Sequence, residues 1–488
     1  DAAKTANANE YPGRYDSGFG YYGNDGKSVT NGTFSSYGNT YTTGDIIGVA
    51  LNLDDDELKF YKNGTVQNSG TAISITANKS YAFAVGNAAG APTTTWVANF
   101  GQDSSFAGNK TAQGNTDGNG IGDFYYTPPS GFVALCTDNL PDVSIKPEEH
   151  FNTVLYAGNG GTQSVTGAGF SPDFVWIKNR TDAVNHGLFD TIRGVRNSLQ
   201  SNTTTEARTA AGATEDLYAF GTDGFSVGVD TGGTSYINCN ESSKNYASWN
   251  WKAGGTAVSD SSGDITVSRS TNTDNGISII SYTGNQDPGG TGETISHGLS
   301  QAPEIAFFKN RDGTNDWIVG CTPVGWTHYA SLNQTDAFSA SNSPFRDTAP
   351  TSSYITLGGS HSLNKSANDY ICYAFHSVDG YSKVGSYEGN ANADGPFVYT
   401  GFKPAFVIIK GVDQSGSSWF LMDNKRDEYN VVDKELFADA NSAEGSGSRF
   451  VDFNSNGFKL RANDALNYAS TMFYYAVAES PFKTANAR

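Results

Sequence analysis

Three stretches of this chain read as one line: GFSPDFVWIKNR at 169–180, LSQAPEIAFFKNR at 299–311 and GFKPAFVIIKGV at 401–412. Aligned on Pro172, Pro303 and Pro404, each carries a lysine six residues further on: Lys178, Lys309 and Lys410. Other landmarks keep the same order around them. Upstream stand LYAGNGG (155–161), SYTGNQD (281–287) and SYEGNAN (386–392). Downstream come DGFSVGV (223–229), SSYITLG (352–358) and NGFKLRA (456–462), and then the aromatic strands NYASWNW (245–251), DYICYAF (369–375) and NYASTMFYYAV (467–477). A period of roughly 100–130 residues is too long for a solenoid repeat and fits whole β-sandwich units. PDFVWIKNR itself reads as a core strand, with proline at its start and alternating faces after it.

The composition agrees with strands joined by turns. Tyr, Phe and Trp make up 13% of the 488 residues, charged residues only 17%, and there are 57 Gly. Aromatic residues suit a pleated, half-buried surface, and Gly and Asn suit turns with positive φ. The class is all-β, built of antiparallel sandwiches with helix limited to short turns, and TEARTAAGATEDLYAF (205–220) is the foremost candidate for a turn or two of it. The net charge of −19 argues against a nucleic-acid partner, because such a surface repels phosphate. No apolar run approaches the roughly 20 residues of a membrane-spanning helix. The four cysteines lie far apart without a CxxC pair and read as free thiols in strands. The chain does not begin with Met, and its opening reads like the middle of a longer sequence.

The first 140 residues differ in texture. TTGDIIGVALNLDDDELKFYKNG (42–64) is a hairpin ending in an Asn-Gly turn, and YAFAVGN (81–87) and TTWVANFG (94–101) read as further strands. GYYGNDGK (20–27), GDIIGVALNLDDDELKFYKNG (44–64) and WVANFGQ (96–102) together resemble the later half of a SPRY domain. That resemblance implies a concanavalin-like sandwich of a protein- or glycan-binding kind, lacking its opening strands. Four segments follow: 1–142 as the incomplete SPRY-like sandwich, then β units at 143–262, 263–385 and 386–488. The SPRY-like front, PPSGFVALCTDNLP (128–141) and the repeated lines together resemble large structural proteins of marine tailed phages. This implies a virion-surface component of the tail-fibre or appendage type. It implies host-surface glycan or protein, other virion proteins and sister chains as partners, and neither nucleic acid nor membrane. The alternatives are an appendage-borne polysaccharide depolymerase or a bacterial surface or filament protein.

No catalytic motif stands out: there is no nucleophile elbow, phosphate-cradling loop, dinucleotide fingerprint or HExxH. Fifty acids leave glycoside-cleaving pairs open without pointing to one. LFDTIRG (188–194) and LMDNKRD (421–427) share a D-x-x-R spacing, Asp190/Arg193 and Asp423/Arg426. Such a pair could bind a sugar or form a structural ion pair under a sheet. The structural reading is preferred, since the middle unit has CTPVG (321–325) there instead. NTDGNGIGD (115–123) places Asn115, Asp117, Asn119 and Asp123 like the front half of a calcium loop, although Tyr126 stands where a bidentate Glu belongs. A Gly/Asn-rich turn explains the same letters, and no other cofactor is implied. Host contact is expected in the loops that vary most between units, with Trp326, His328 and Tyr329 as the preferred contact residues.

Overall fold

The computed structural model describes residues 11–14, 18–77, 81–86, 95–140, 145–229, 237–286 and 292–485. They divide into two compact bodies, Asp1–Pro141 and Asp142–Arg488. The expected boundary at 142/143 lies outside the described residues.

In the first body, strands Ile47–Asn52 and Glu57–Lys62 form the hairpin read from the sequence, with Ile47 opposite Lys62. Thr65–Val66 and Ile73–Ser74 extend it, and a second sheet holds Phe19–Tyr21, Lys27–Thr30 and Thr33–Ser36. Asn63 and Gly64 both take positive φ, 46° and 78°, as the tight Asn-Gly turn requires. Tyr21, Tyr37, Leu58, Phe60 and Ile75 form the small core. The strands expected at 81–87 and 94–101 do not appear among the described residues. No described strand offers those segments a ladder, and Phe83, Val85, Trp96 and Val97 are exposed.

The second body repeats one sheet three times. In the first repeat the strand order is Gly187–Asp190, Phe174–Asn179, Asn245–Trp251, Phe151–Ala157. In the second, Ile318–Cys321, Ile305–Asn310, Asp369–Phe375 and Ile277–Thr283 stand in the same order within a longer sheet. In the third the order is Phe420–Asp423, Phe402–Gly411, Thr471–Pro481, Ser382–Glu388. All neighbours are antiparallel, and the register repeats as well: Trp176 faces Trp249, Phe307 faces Tyr373, and Ile408 faces Tyr475. The strand Ser382–Glu388 runs across the 385/386 boundary drawn from the sequence.

Each sheet buries both faces, as the unbroken burial of Phe174–Asn179, Ile305–Asn310 and Phe402–Gly411 records. One face packs on a small outer sheet of its own repeat, giving three separate cores. Examples are Val175 with Phe225, Phe308 with Ile355, and Val407 with Phe458. The opposite faces meet in one shared core that takes Phe174, Trp249, Phe307, Tyr373, Phe406 and Tyr475 from all three repeats. A residual cavity of about 20 Å³ lies there, lined by rings such as Phe174, Phe307 and Tyr475. The strand period explains the division, because alternate residues of each lysine-bearing strand point to the outer core and to the shared one.

Segment 205–220 forms strands Arg208–Thr209 and Asp216–Gly221 instead of helix. The amide of Ala207 is engaged by Arg311 O at 2.8 Å, and Asp216 takes φ 51°, so a helical hydrogen-bond ladder cannot run through it. The described α-helices are single turns, Asn342–Phe345 and His361–Asn364, and the 3-10 turns are three residues each. None of the four cysteines is in a disulfide; Cys239, Cys321 and Cys372 are buried and Cys136 is exposed.

Candidate functional site

The repeated residues converge where the repeats meet. Asp190 Oδ2 lies 2.5 Å from Arg193 Nε, both side chains fully buried, and Tyr373 of the second repeat donates its hydroxyl to the same oxygen at 2.7 Å. Arg193 also donates to Leu188 O at 2.9 Å and to Asn197 O at 3.0 Å. The third repeat copies this arrangement. Asp423 Oδ2 lies 2.6 Å from Arg426 Nε and accepts from the indole of Trp249, in the first repeat, at 3.0 Å. Both pairs use their donors and acceptors inside the protein and present none to a ligand. In the middle repeat Cys321 and Val324 take the two positions, so an apolar pair replaces a charged one.

The repeated lysines are also consumed internally. Lys178, Lys309 and Lys410 are fully buried, and burial pushes each ammonium down to about 8. Lys309 donates to Gly313 O, Asn315 O and Thr204 O at 3.1, 2.8 and 2.9 Å. Lys178 donates to Asn179 O at 2.6 Å, and Lys410 donates to Ser417 O. Each pins the loop that follows its strand.

Three further contacts recur cyclically, one of each kind at every joint. Trp317 Nε1 donates to Gln200 O at 2.8 Å, Trp419 Nε1 to Ser331 O at 3.0 Å, and His186 Nε2 meets Phe437 O at 2.9 Å. Backbone amides do the same: Ala207 N to Arg311 O, Phe338 N to Val412 O and Glu444 N to Arg180 O, at 2.8, 2.9 and 3.0 Å. Rings meet across the joints as well, Phe174 stacked on Tyr373 with centroids 4.3 Å apart and Phe406 tilted against Trp249 at 5.5 Å. The second repeat thus docks on the first, the third on the second and the first on the third, which closes a ring. The backbone acceptors carry no sequence signature. The recurring tryptophan before the short strand was the available signal, masked by histidine in the first repeat.

The expected contact residues fare differently. Trp326 is not a surface residue: it is 3% exposed, packs against Phe345 at 4.9 Å and donates to Thr322 Oγ1 at 3.2 Å. The correction has a simple cause, since Gly320 leaves space directly beneath the indole. Tyr329 is half-buried against the same core and His328 is half-buried beside Thr327, 2.9 Å from its hydroxyl. Trp326→Ala is expected to lower stability by about 3–5 kcal/mol, as truncation of a core tryptophan does, measured by urea unfolding. A change under 1 kcal/mol would return the residue to the surface.

The candidate calcium loop is held by hydrogen bonds of its own. Asp117 Oδ1 accepts from the amides of Asn119 and Ile121 at 2.9 and 3.0 Å, and Oδ2 from Ala134 N and Asn139 Nδ2 at 2.8 Å each. These donors, Ala134 N foremost, hold the carboxyl down at about 2. Asn115 donates to Phe124 O and Tyr125 O, and Asp123 accepts from Ser104 N. The four side chains therefore brace a turn rather than converge. Among the described residues no group of three or more His, Cys, Asp or Glu is placed to hold a metal ion.

Large rings reach solvent elsewhere on the second body. Phe397 and Tyr399 begin and end an edge strand at 45% and 60% exposure, and Tyr429 reaches 70%. Tyr429 is carried by a loop that Asn430 fixes, through bonds with Phe453 O at 2.9 Å and Phe453 N at 2.8 Å.

Comparison with known proteins separates the same two bodies. Residues 2–102 match the SPRY domain. Over 59 residues the chain is 46% identical to Ran-binding protein 9 of Xenopus laevis, and over 64 residues 42% identical to Ran-binding protein 10 of Danio rerio. These matches cover 12% and 13% of this chain and 11% of each relative, so the chain spans about a tenth of their length. Residues 146–481, which take in all three repeats and well over half the sequence, match a single family. The chain belongs to the family described as Domain of unknown function (DUF7483).

Proposed function

We propose that the chain is a non-enzymatic recognition and structural protein of a surface appendage, of the virion type that its sequence resembles. Its ring of three repeats is the rigid support, and its SPRY segment and outward-facing rings make contact with a host glycan or protein. The observation that carries this reading is that the repeated polar residues, Asp190, Arg193, Asp423, Arg426, Lys178, Lys309 and Lys410, are buried and engaged within the chain. What remains for a partner is a surface with exposed tyrosines. Such rings stack on sugars and anchor protein interfaces.

The test is adsorption of the full chain to host cells and to their purified envelope polysaccharide. Tyr399→Ala and Tyr429→Ala are expected to weaken adsorption without changing the melting temperature. No adsorption by the unaltered protein would overturn the reading. One observation favours the depolymerase alternative: Glu435 and Asp464 both have carboxyls raised by burial, and Asp464 raises Glu435 further. Released reducing ends, lost in Glu435→Gln, would move the assignment to that enzyme class.

A further inference from the structure

We propose that the joint between the third and first repeats is an acid-labile latch, released when His186 takes up a proton. Of the three joints, this is the one whose two sides are not consecutive in the chain. The other two are tethered by short connections, whereas the first and third repeats meet through side chains and backbone alone. An ion pair crosses this joint as well. Arg180 holds Glu444 by two bonds of 2.8 Å, Ser201 Oγ donates to Ala438 O at 2.7 Å, and Trp249 donates to Asp423.

At its centre His186 stands where the other joints have Trp317 and Trp419. An indole N–H cannot titrate; an imidazole can. Trp176 Nε1 donates to His186 Nδ1 at 2.8 Å, which leaves the proton on Nε2 for Phe437 O and Ala440 O at 2.9 and 3.1 Å. The closed joint therefore accepts only neutral imidazole. A second proton, on Nδ1, would confront the Trp176 N–H and remove its acceptor. The charged groups facing the ring are Lys178, from its own sheet, and Arg426, from the third repeat, both cationic. The carboxylates of the joint, Glu444 and Asp423, are already engaged by Arg180, Arg426 and Trp249. Burial first, and these cations next, hold the imidazole well below its ordinary 6.5 while the joint is closed.

The sign follows from linkage. A group whose folded value lies below its released value binds its proton more readily in the open form, so acid favours opening. Below about pH 6.5 the open fraction rises by up to about tenfold per pH unit.

The three equivalent amides give an internal control. Residue-resolved hydrogen exchange, corrected for intrinsic rate, is read at Glu444, Ala207 and Phe338 between pH 7.5 and 5. Protection is expected to fall at Glu444 by about tenfold or more, and to hold at Ala207 and Phe338. His186→Gln keeps one donor and one acceptor but cannot be protonated, and is expected to abolish the fall. Equal changes at all three amides, or a fall at Glu444 that persists in His186→Gln, would overturn the proposal. If that variant does not fold, the His186 ring signal of the unaltered protein decides. Its titration must track the loss of Glu444 protection, and a ring that stays neutral while protection falls sinks the latch.

Discussion

Asp190→Ala is expected to destabilise the second body by about 3–5 kcal/mol, because it leaves the Arg193 guanidinium buried without its counter-charge. Side-chain exposure is zero for both partners, so water cannot replace the carboxylate. The middle repeat supplies a way to remove the pair without that penalty. It has Cys321 and Val324 at the two positions, both packed with the shared core. The triple change Asp190→Cys, Arg193→Val and Tyr373→Phe transfers that solution to the first repeat and deletes the tyrosine hydroxyl that the pair engages. It is expected to cost far less than Asp190→Ala alone, since apolar replacement of a whole buried ion pair is often neutral or stabilising. Urea unfolding of the two variants gives the comparison. A triple variant as unstable as the single one would mean that the pair itself, and not the orphaned charge, carries the stability.

The second large effect is alkaline stabilisation. Lys178, Lys309 and Lys410 each stand at about 8 in the folded chain against an ordinary 10.5. Between those values the unfolded chain binds more protons than the folded one, so stability rises with pH across the window. Each lysine contributes up to about 3 kcal/mol over the full range. Buried tyrosines act oppositely at higher pH, because Tyr282 and Tyr387 are held well above 10 by burial. Unfolding free energy measured from pH 7.5 to 9.5 is therefore expected to climb, and the climb is expected to shrink by about a third in Lys309→Met. A flat profile, or one that Lys309→Met leaves unchanged, would show that the ammonium groups are solvated better than their burial implies.

What the sequence disclosed depended on whether side chains or backbone carried the contact. Proline, tyrosine and lysine recur at fixed places because each has a fixed task. Tyr156, Tyr282 and Tyr387, for instance, donate to Cys239 O, Leu363 O and Leu466 O at 2.7 Å in all three repeats. The closure into a ring was not legible. Its donors differ, with Trp317 and Trp419 against His186, and its acceptors are carbonyls that any residue supplies. Trp326 misled for a related reason, since an aromatic in a polar stretch looks the same whether it faces solvent or lies over a glycine. The D-x-x-R spacing was visible, but its partners Tyr373 and Trp249 come from other repeats, more than 170 residues away. The SPRY-like hairpin was plain because strand, turn and strand are contiguous.

Cyclic docking bears on how such a gene can change. In an open solenoid a repeat can be gained or lost, because the end units only cap a stack. Here every repeat is both host and guest, and its angle to the next is set by a shared core that closes at three. Deleting one copy would strip two docking faces at once, and adding one would leave no place for it. The copy number is locked by geometry. Divergence between copies is then left to run residue by residue, as the Cys321 and Val324 exchange and the histidine at 186 record.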